Sequence, residues 1–273
     1  MRAYRVAYDG RPFHGFQRQP DVSTVEDTLF DALRELGVCA DDAAPAGYAA
    51  AGRTDAGVSA RAQTVAFDAP DWLTPRAFNG ELPGSVRAWA GADVPDDFHA
   101  THDARRRGYV YFLHAPRDDD TAASLDEGRV RDALARLAGE HDFHNLTSDE
   151  TGTVRDLDIS AERDGDFLAI RLRAGGFARQ LVRRVVGLAV EIGRGESELE
   201  KVEWMLGSES IDGPDGVAPA PAEPLVLWDV TYDGVSFRVD DEAVESARGV
   251  WRQRYREWAS AARVAGAIFD GLE

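Results

Sequence analysis

The chain has 273 residues, 44% of them hydrophobic, so it is globular, with room for one large domain or two of ordinary size around a substantial core. A formal net charge of −18 sets 49 acidic against 31 basic side chains, and the basic set is almost all arginine, with Lys201 the one lysine. The single cysteine, Cys39, excludes an internal disulfide and a Cys-rich zinc site, and no apolar run reaches membrane-spanning length.

Tyr4 to Tyr8 reads as a first strand ended by Asp9-Gly10, followed by a Gly- and Pro-punctuated loop, Arg11 to Pro20, that carries two Phe and two Gln. Ser23-Thr-Val-Glu26 has the form of a capping box, and Val25, Leu29, Leu33 and Leu36 recur at helical spacing, which predicts a helix to about Leu36. An acidic, Ala-rich connection leads to the stretch Ala51 to Ala60, with a strand over Ala62 to Phe67 behind it. Pro75 to Leu82 is predicted as a short helix opened by proline, and Val86 to Val94 as a strand. The run Asp103 to Leu113 ends in a strand that puts Tyr109 and Tyr111 on one face and Val110 and Phe112 on the other. An amphipathic helix over Asp126 to Ala138, strands over Val154 to Glu162 and Phe167 to Arg173, and a helix over Gly176 to Ile192 follow. The proline-rich stretch from Gly213 to Pro224 is predicted as a rigid loop delivering the chain to a strand over Leu225 to Tyr232, before a charged helix from about Asp241 to Arg263. Strand, helix, strand, strand, helix, strand in each half suits a duplicated α+β unit with antiparallel sheet, dividing into residues 1–104 and 105–273.

The chemistry centres on Ala51-Gly52-Arg53-Thr54-Asp55-Ala56-Gly57-Val58-Ser59-Ala60. Gly52 and Gly57 bracket a bend, and a short carboxylate held there near Arg53 is a good place for a nucleophile. Asp and Gly are equally what an ordinary turn wants, and an Arg-x-Asp pair is often only a surface ion pair. In the predicted helix after Gly175-Gly176, Leu181, Val185, Leu188 and Ile192 cluster on one side while Arg179 and Arg183 project from the other, with Gly187 leaving room one turn on. That side is either a solvated basic face or aims Arg183 at a carboxylate in a cleft. Arg105, Arg106 and Arg107 are the densest basic run, suited to phosphate contacts or to a solvated approach. Tyr109 fits sheet core or a ring stacked on a base. His141 and His144 in His-Asp-Phe-His fit a polar turn better than a metal pair.

The acidic surface predicts a salt-filled cytoplasm: at molar salt the screening length falls to roughly 3 Å, so a surface crowded with carboxylates repels itself little. The first residues, Met1 to Tyr8, read as a strand rather than a secretory leader, which also predicts a cytoplasmic protein. Acidity then says little against a nucleic-acid partner. Neutralising about five phosphates loses roughly four to five decades of affinity between about 0.2 M and about 3 M salt, so binding must lean on shape, hydrogen bonds and stacking.

Taken together, these stretches resemble the tRNA pseudouridine synthase A (TruA) family. The decapeptide around Asp55 is similar to that family's signature Ala-Gly-Arg-Thr-Asp-x-Gly-Val-His-Ala, and Tyr8 to Gln19 to its Tyr-Asp-Gly-x-x-Phe-x-Gly-Trp-Gln motif. Ser23 to Glu26, Phe78 to Pro83, Phe98 to Ala100, Arg107 to Tyr111, Gly139 to Phe143, Val182 to Gly187 and Ala218 to Leu225 match later blocks in the same order. The resemblance implies two ferredoxin-like halves in a continuous antiparallel sheet flanked by helices, with a central active-site cleft. It implies a homodimer that isomerises uridine to pseudouridine at positions 38, 39 or 40 of the tRNA anticodon arm, without metal or redox cofactor; the haloarchaeal source is predicted by the acid-rich, lysine-poor composition, and the cytoplasmic, membrane-free location by the lack of a leader-like or membrane-spanning run. The resemblance makes Asp55 the nucleophile, Tyr109 the tyrosine on the target uridine, Arg183 the partner of the aspartate, Arg53 a holder of the flipped nucleotide and Leu225 the apolar residue under the uracil. Arg105, Arg106, Arg107 and Arg179 are the RNA-binding candidates. Ser59 stands where the family has His, Phe16 where it has Trp and Pro224 where Gly often stands, which bears on loop geometry and on which uridines are accepted. Two other classes compete: a non-catalytic RNA-binding module of ferredoxin-like fold, which lacks its usual aromatic segment here, and a nucleoside hydrolase, which would usually want two carboxylates.

Overall fold

The computed structural model describes residues 1–40, 43–116, 125–211 and 213–272. The first run of elements is β1 (Arg2–Tyr8), α1 (Val25–Glu35), β2 (Ala49–Ala50), β3 (Ser59–Phe67), α2 (Pro75–Phe78) and β4 (Val86–Asp93). The second is β5 (Ala104–His114), α3 (Glu127–Leu137), β6 (Gly139–Asp142), β7 (Val154–Asp164), β8 (Phe167–Ala174), α4 (Leu181–Gly193), α5 (Lys201–Met205) and β9 (Leu225–Tyr232), followed by β10 (Arg238–Val239) and α6 (Asp241–Asp270). The fold is α+β, one ten-stranded sheet in the order β10-β4-β1-β3-β9-β5-β8-β7-β6, with β2 on the far part of β3. Both runs share one arrangement, β4-β1-β3-β2 and β9-β5-β8-β7, as expected of the strand–helix–strand–strand–helix–strand unit read from the sequence.

Each run has its own core. One is built on Tyr4, Val6, Leu29, Leu33, Phe67 and Phe78, the other on Leu134, Leu137, Leu172, Leu181, Val185 and Ile192. A fully buried side chain of this kind contributes about 1.5–3 kcal/mol. The apolar stripes that predicted α1, α3 and α4 are the faces these helices bury. Tyr109 packs against both cores, which places it at their boundary.

That boundary is a seam between β3 and β9. It is parallel, unlike the antiparallel pairing expected throughout, and only Ser59 with Val226 and Ala60 with Leu227 pair across it. Arg5 on β1 fills the gap where the strands diverge. Its guanidinium donates to Thr64 Oγ1 at 3.0 Å and to the carbonyls of Ala62 and Val230, beside Asp229 at 3.5 Å and 4.1 Å from the Phe237 ring centroid. Burial lowers the pKa of this group and Asp229 opposes the fall.

Several boundaries differ from the sequence expectations for local reasons. The capping box sits one residue late: Thr24 is the N-cap, its Oγ1 accepts from the Asp27 N–H at 3.2 Å, and Glu26 instead accepts from the Arg18 N–H at 2.9 Å. The Val25 and Glu26 N–H groups are taken by the carbonyls of Gly15 and Phe16, which sets that register. α2 stops at Phe78 because the Asn79 side chain bonds both backbone groups of Ala88 and pins the chain to β4. α4 begins at Leu181 rather than Gly176, since Gln180 takes φ +58° and the carbonyl and N–H of Arg179 are held by Thr147 and Asp149. α6 runs to Asp270, seven residues beyond the expected end.

The capping geometry makes a sharp forecast. Thr24→Ala should lower unfolding free energy by about 1 kcal/mol in a denaturant titration, while Ser23→Ala, the N-cap the spacing pointed to, should change it by less than about 0.5 kcal/mol.

Candidate active site

The stretch from Ala51 to Val58 links β2 to β3 as a loop whose last turn is closed by the Val58 N–H on the Asp55 carbonyl at 3.1 Å. Gly57, the third residue of that turn, sits at φ +83°, where a side chain would be strained and its Cβ would stand 3.3 Å from the Ala222 Cβ. The loop is braced from several sides. Tyr8 and Thr54 hydroxyls bond at 2.8 Å, Gln63 donates to the Gly52 carbonyl at 2.8 Å, and Phe16 N–H donates to the Thr54 carbonyl at 3.0 Å. Gly10 lies so close that a Cβ there would be 2.0 Å from the Val58 carbonyl oxygen, and its N–H donates to Ser59 Oγ at 3.0 Å. Ser59 therefore ties the loop containing Arg11 to Pro20 to the start of β3.

Asp55 and Arg183 come together from 128 positions apart, Arg183 Nη1 donating to Asp55 Oδ2 at 3.0 Å. The Arg183 side chain is 14% exposed and that of Asp55 32%, so the cation is sheltered while the carboxylate stays reachable. Arg183 Nε donates to the Ala220 carbonyl at 2.7 Å, and the Ala220 N–H returns a bond to the Arg183 carbonyl at 2.9 Å. Arg184 Nη1 donates to the Val217 carbonyl at 2.6 Å. The segment before β9 is thus stapled across α4, and it fits because Gly187 presents no side chain there. The sequence suggested room beside Gly187; the structure fills it with backbone.

Tyr109 reaches this place through a β-bulge. Along β5 and β9, Gly108 pairs with Asp229 but Tyr109 pairs with Leu227, so Trp228 is the extra residue. The bulge resets the alternation on β9, and Val230, Leu227 and Leu225 are all buried. Leu225 pairs with Tyr111, two residues from Tyr109. Burial pushes the Tyr109 phenol up to about 12, opposed by Arg107 and reinforced by Asp55, so it stands as a neutral O–H beside the carboxylate. Phe177 meets the Tyr109 ring edge-on, with centroids 5.1 Å apart. Sequence reading passed over Phe177; the signal was an aromatic placed directly after Gly175-Gly176.

The other candidates disperse. Arg53 is exposed, two residues from Asp55, and makes no ion pair among the described residues. Arg107 is committed to backbone carbonyls, donating to Ala51 at 2.7 and 2.9 Å, Thr101 at 2.7 Å and Gly175 at 2.7 Å, which makes it a brace of the loop. Arg105 and Arg106 lie at the surface, paired with Asp233 at 2.8 Å and Asp158 at 3.3 Å. Arg179 precedes α4, rather than lying on it as expected, and approaches Asp149 at 3.9 Å. Among the described residues no three His, Cys, Asp or Glu side chains converge as a metal site requires, and no helix is long and apolar enough to cross a membrane.

What this arrangement offers is one reachable carboxylate on a braced loop, a guanidinium bonded to it, and a neutral phenol whose ring is met edge-on by Phe177, with Leu225 buried two residue pairs along the sheet. Residues 133–233 match the family model described as tRNA pseudouridine synthase. The tRNA pseudouridine synthase A of Haloarcula marismortui is 61% identical, over 100% of both chains. The protein of that name from Natronomonas pharaonis is 59% identical over 98% of each chain, and that from Methanosarcina acetivorans 38% identical over 90% of each.

A Cβ at position 187 would stand 2.3 Å from the Ala218 carbonyl oxygen. Gly187→Ala should therefore lift the 217–222 segment off α4 and cost about 1–3 kcal/mol in thermal or denaturant unfolding. Gly249→Ala, at a position with open space around it, should leave stability unchanged or raise it.

Proposed function

This chain belongs to the tRNA pseudouridine synthase A family, and from that premise we propose that it isomerises uridine to pseudouridine in the anticodon arm of tRNA, at position 38, 39 or 40, with Asp55 as nucleophile. The observation that carries the reading is the contact of Asp55 with Arg183 beside the protonated Tyr109. The target uridine leaves its stack at a cost of a few kcal/mol, which is least in a loop or at a stem end. Asp55 then acts on it in one of three ways: attack at the ribose C1′, attack at C6 of the uracil, or removal of a ribose proton to give a glycal. In each the N1–C1′ bond breaks, the uracil turns, a C5–C1′ bond forms, and the hydrogen on C5 is lost while N1 gains one. Mass is conserved and no oxidant is consumed.

The residues divide the work. Arg183 sets its guanidinium against the carboxylate at 3.0 Å, which stabilises the negative charge that returns to the carboxylate when the covalent stage ends. Tyr109 offers a ring for the uracil and a hydroxyl that donates without ionising. Leu225 supplies an apolar surface on which the freed base can turn, and Arg53, exposed at the mouth, is placed to hold a phosphate or ribose of the flipped nucleotide. A single carboxylate suits this covalent route, whereas a glycoside-type hydrolase needs a second one at a defined separation.

Nucleoside chromatography of a digested anticodon-arm transcript, incubated in molar KCl, tests the proposal. Wild type should convert uridine to pseudouridine with no free uracil, and Asp55→Ala should give none while still binding the RNA. Free uracil would indicate a hydrolase, and equal conversion by Asp55→Ala would remove Asp55 from the chemistry.

A further inference from the structure

The active-site reading leaves the C-terminal helix α6 without a task, although it holds a basic stretch in an acidic chain. Between Arg248 and Arg263 there are five arginines and one acidic residue, Glu257, in a protein of net charge −18. One side of the helix is anchored. Ala243 and Ala247 are buried, Arg254 bonds the Asp9 carboxylate, and the Arg11 guanidinium lies 3.6 Å from the Trp258 ring centroid. Burial by itself would raise the Asp9 carboxyl, but bonds from Arg11 and the nearby Arg254 hold it below the usual range. Asp9 adjoins Gly10, which packs on Val58 at the end of the catalytic loop. The helix is thereby fixed relative to the site.

The opposite side is a row of bare cations. Arg248, Arg252, Arg256 and Arg263 are exposed and, at 100° per residue, fall within about 80° of one another, opposite the side that carries Ala243, Ala247 and Arg254. Tyr255, 72% exposed, stands beside them. Among the described residues none of these four arginines makes an ion pair or hydrogen bond. Glu245, three residues before Arg248 on the same face, makes no ion pair with it among the described residues, and Glu257, at least about 100° round the helix, is bonded by Gln253 at 2.9 Å. Like charges four residues apart repel and weaken a helix, so the stripe opposes the helix that carries it. Other helices of the same chain do the reverse: Arg34 pairs with Asp31 three residues away and Arg131 with Glu127 four away. Where acid is this abundant, a row left unpaired is fitted to an anion from outside.

We infer that the Arg248, Arg252, Arg256 and Arg263 face of α6 is a second contact surface for the tRNA substrate, gripping backbone phosphates along about 22 Å of helix, with Tyr255 stacking beside them. The inference rests on tRNA being the substrate. Its salt logic is consistent with the acidic surface. At molar salt, charges more than a few ångströms away are screened, so the distant carboxylates do not repel the RNA and only groups in contact count. Guanidinium forks meet phosphate oxygens bidentately, and stacking is not screened.

The test is equilibrium binding of a labelled full-length tRNA transcript to wild type and to R252Q/R256Q/R263Q, from about 1 M to about 3 M KCl, with pseudouridine measured in parallel. The variant should bind about tenfold more weakly at the lower salt, and the slope of log Kd against log salt should be shallower by about 2–3, near one unit for each phosphate contact removed. Raising the RNA concentration should restore conversion, and melting should be unchanged or slightly improved because the repulsion is relieved. Unchanged Kd and slope overturn the inference, as does a loss of conversion that saturating RNA does not restore. Wild type that binds the transcript without forming pseudouridine would defeat the proposed reaction, while the slope would still decide the role of α6.

Discussion

Two residue pairs, Ser59 with Val226 and Ala60 with Leu227, make the whole backbone junction between the halves of the sheet, and the candidate site depends on their register. Leu227 pairs on its other side with Tyr109, so Ala60, Leu227 and Tyr109 form one row across three strands. Asp55 precedes Ser59 by one turn, and Leu225 is the first residue of β9. A slip of one residue at the seam would turn the side chains of a strand to the other face and part the carboxylate from the phenol. So short a junction needs support, and it comes from side chains: Arg5 bridging the diverging strands, and the 217–222 segment stapled over Gly187 by Arg183 and Arg184.

The Asp55–Arg183 pair joins the two halves of the fold at the candidate site. An exposed ion pair adds little to stability, and a fully buried one is costly to desolvate. This pair lies between those limits, with the guanidinium sheltered and also bonded to the Ala220 carbonyl, and the carboxylate open on one side. Its direction is fixed by backbone on both ends, by the closed turn at Gly57 and by α4. Little has to reorganise when charge moves, which is the condition under which a fixed charge acts strongly in a reaction.

Much of this was legible in the sequence because the signals were local. Periodicity located α1, α3 and α4, alternation located β5, and the glycines around Asp55 marked a turn where a carboxylate could be presented. Arg183 stood out as a cation opposite an apolar stripe. What escaped depended on partners distant in sequence. The start of α4 was misjudged because Thr147 and Asp149 hold the Arg179 backbone, and Arg107 looked like a phosphate contact because the carbonyls of Ala51, Thr101 and Gly175 that occupy it lie in three other segments. The parallel seam and the bulge at Trp228 left no periodic trace, since each concerns how strands meet rather than how one strand reads.

The proposed chemistry requires Arg183 to act on Asp55 across the seam during the chemical step. The measurement that tests it most directly is single-turnover release of tritium from C5-labelled uridine in an anticodon-arm RNA, at saturating protein, for wild type and Arg183→Met. If Arg183 holds and stabilises the carboxylate, the rate should fall by about 100-fold or more with RNA affinity little changed. Release at the wild-type rate by a folded Arg183→Met protein would contradict the account and leave the pair a structural contact only.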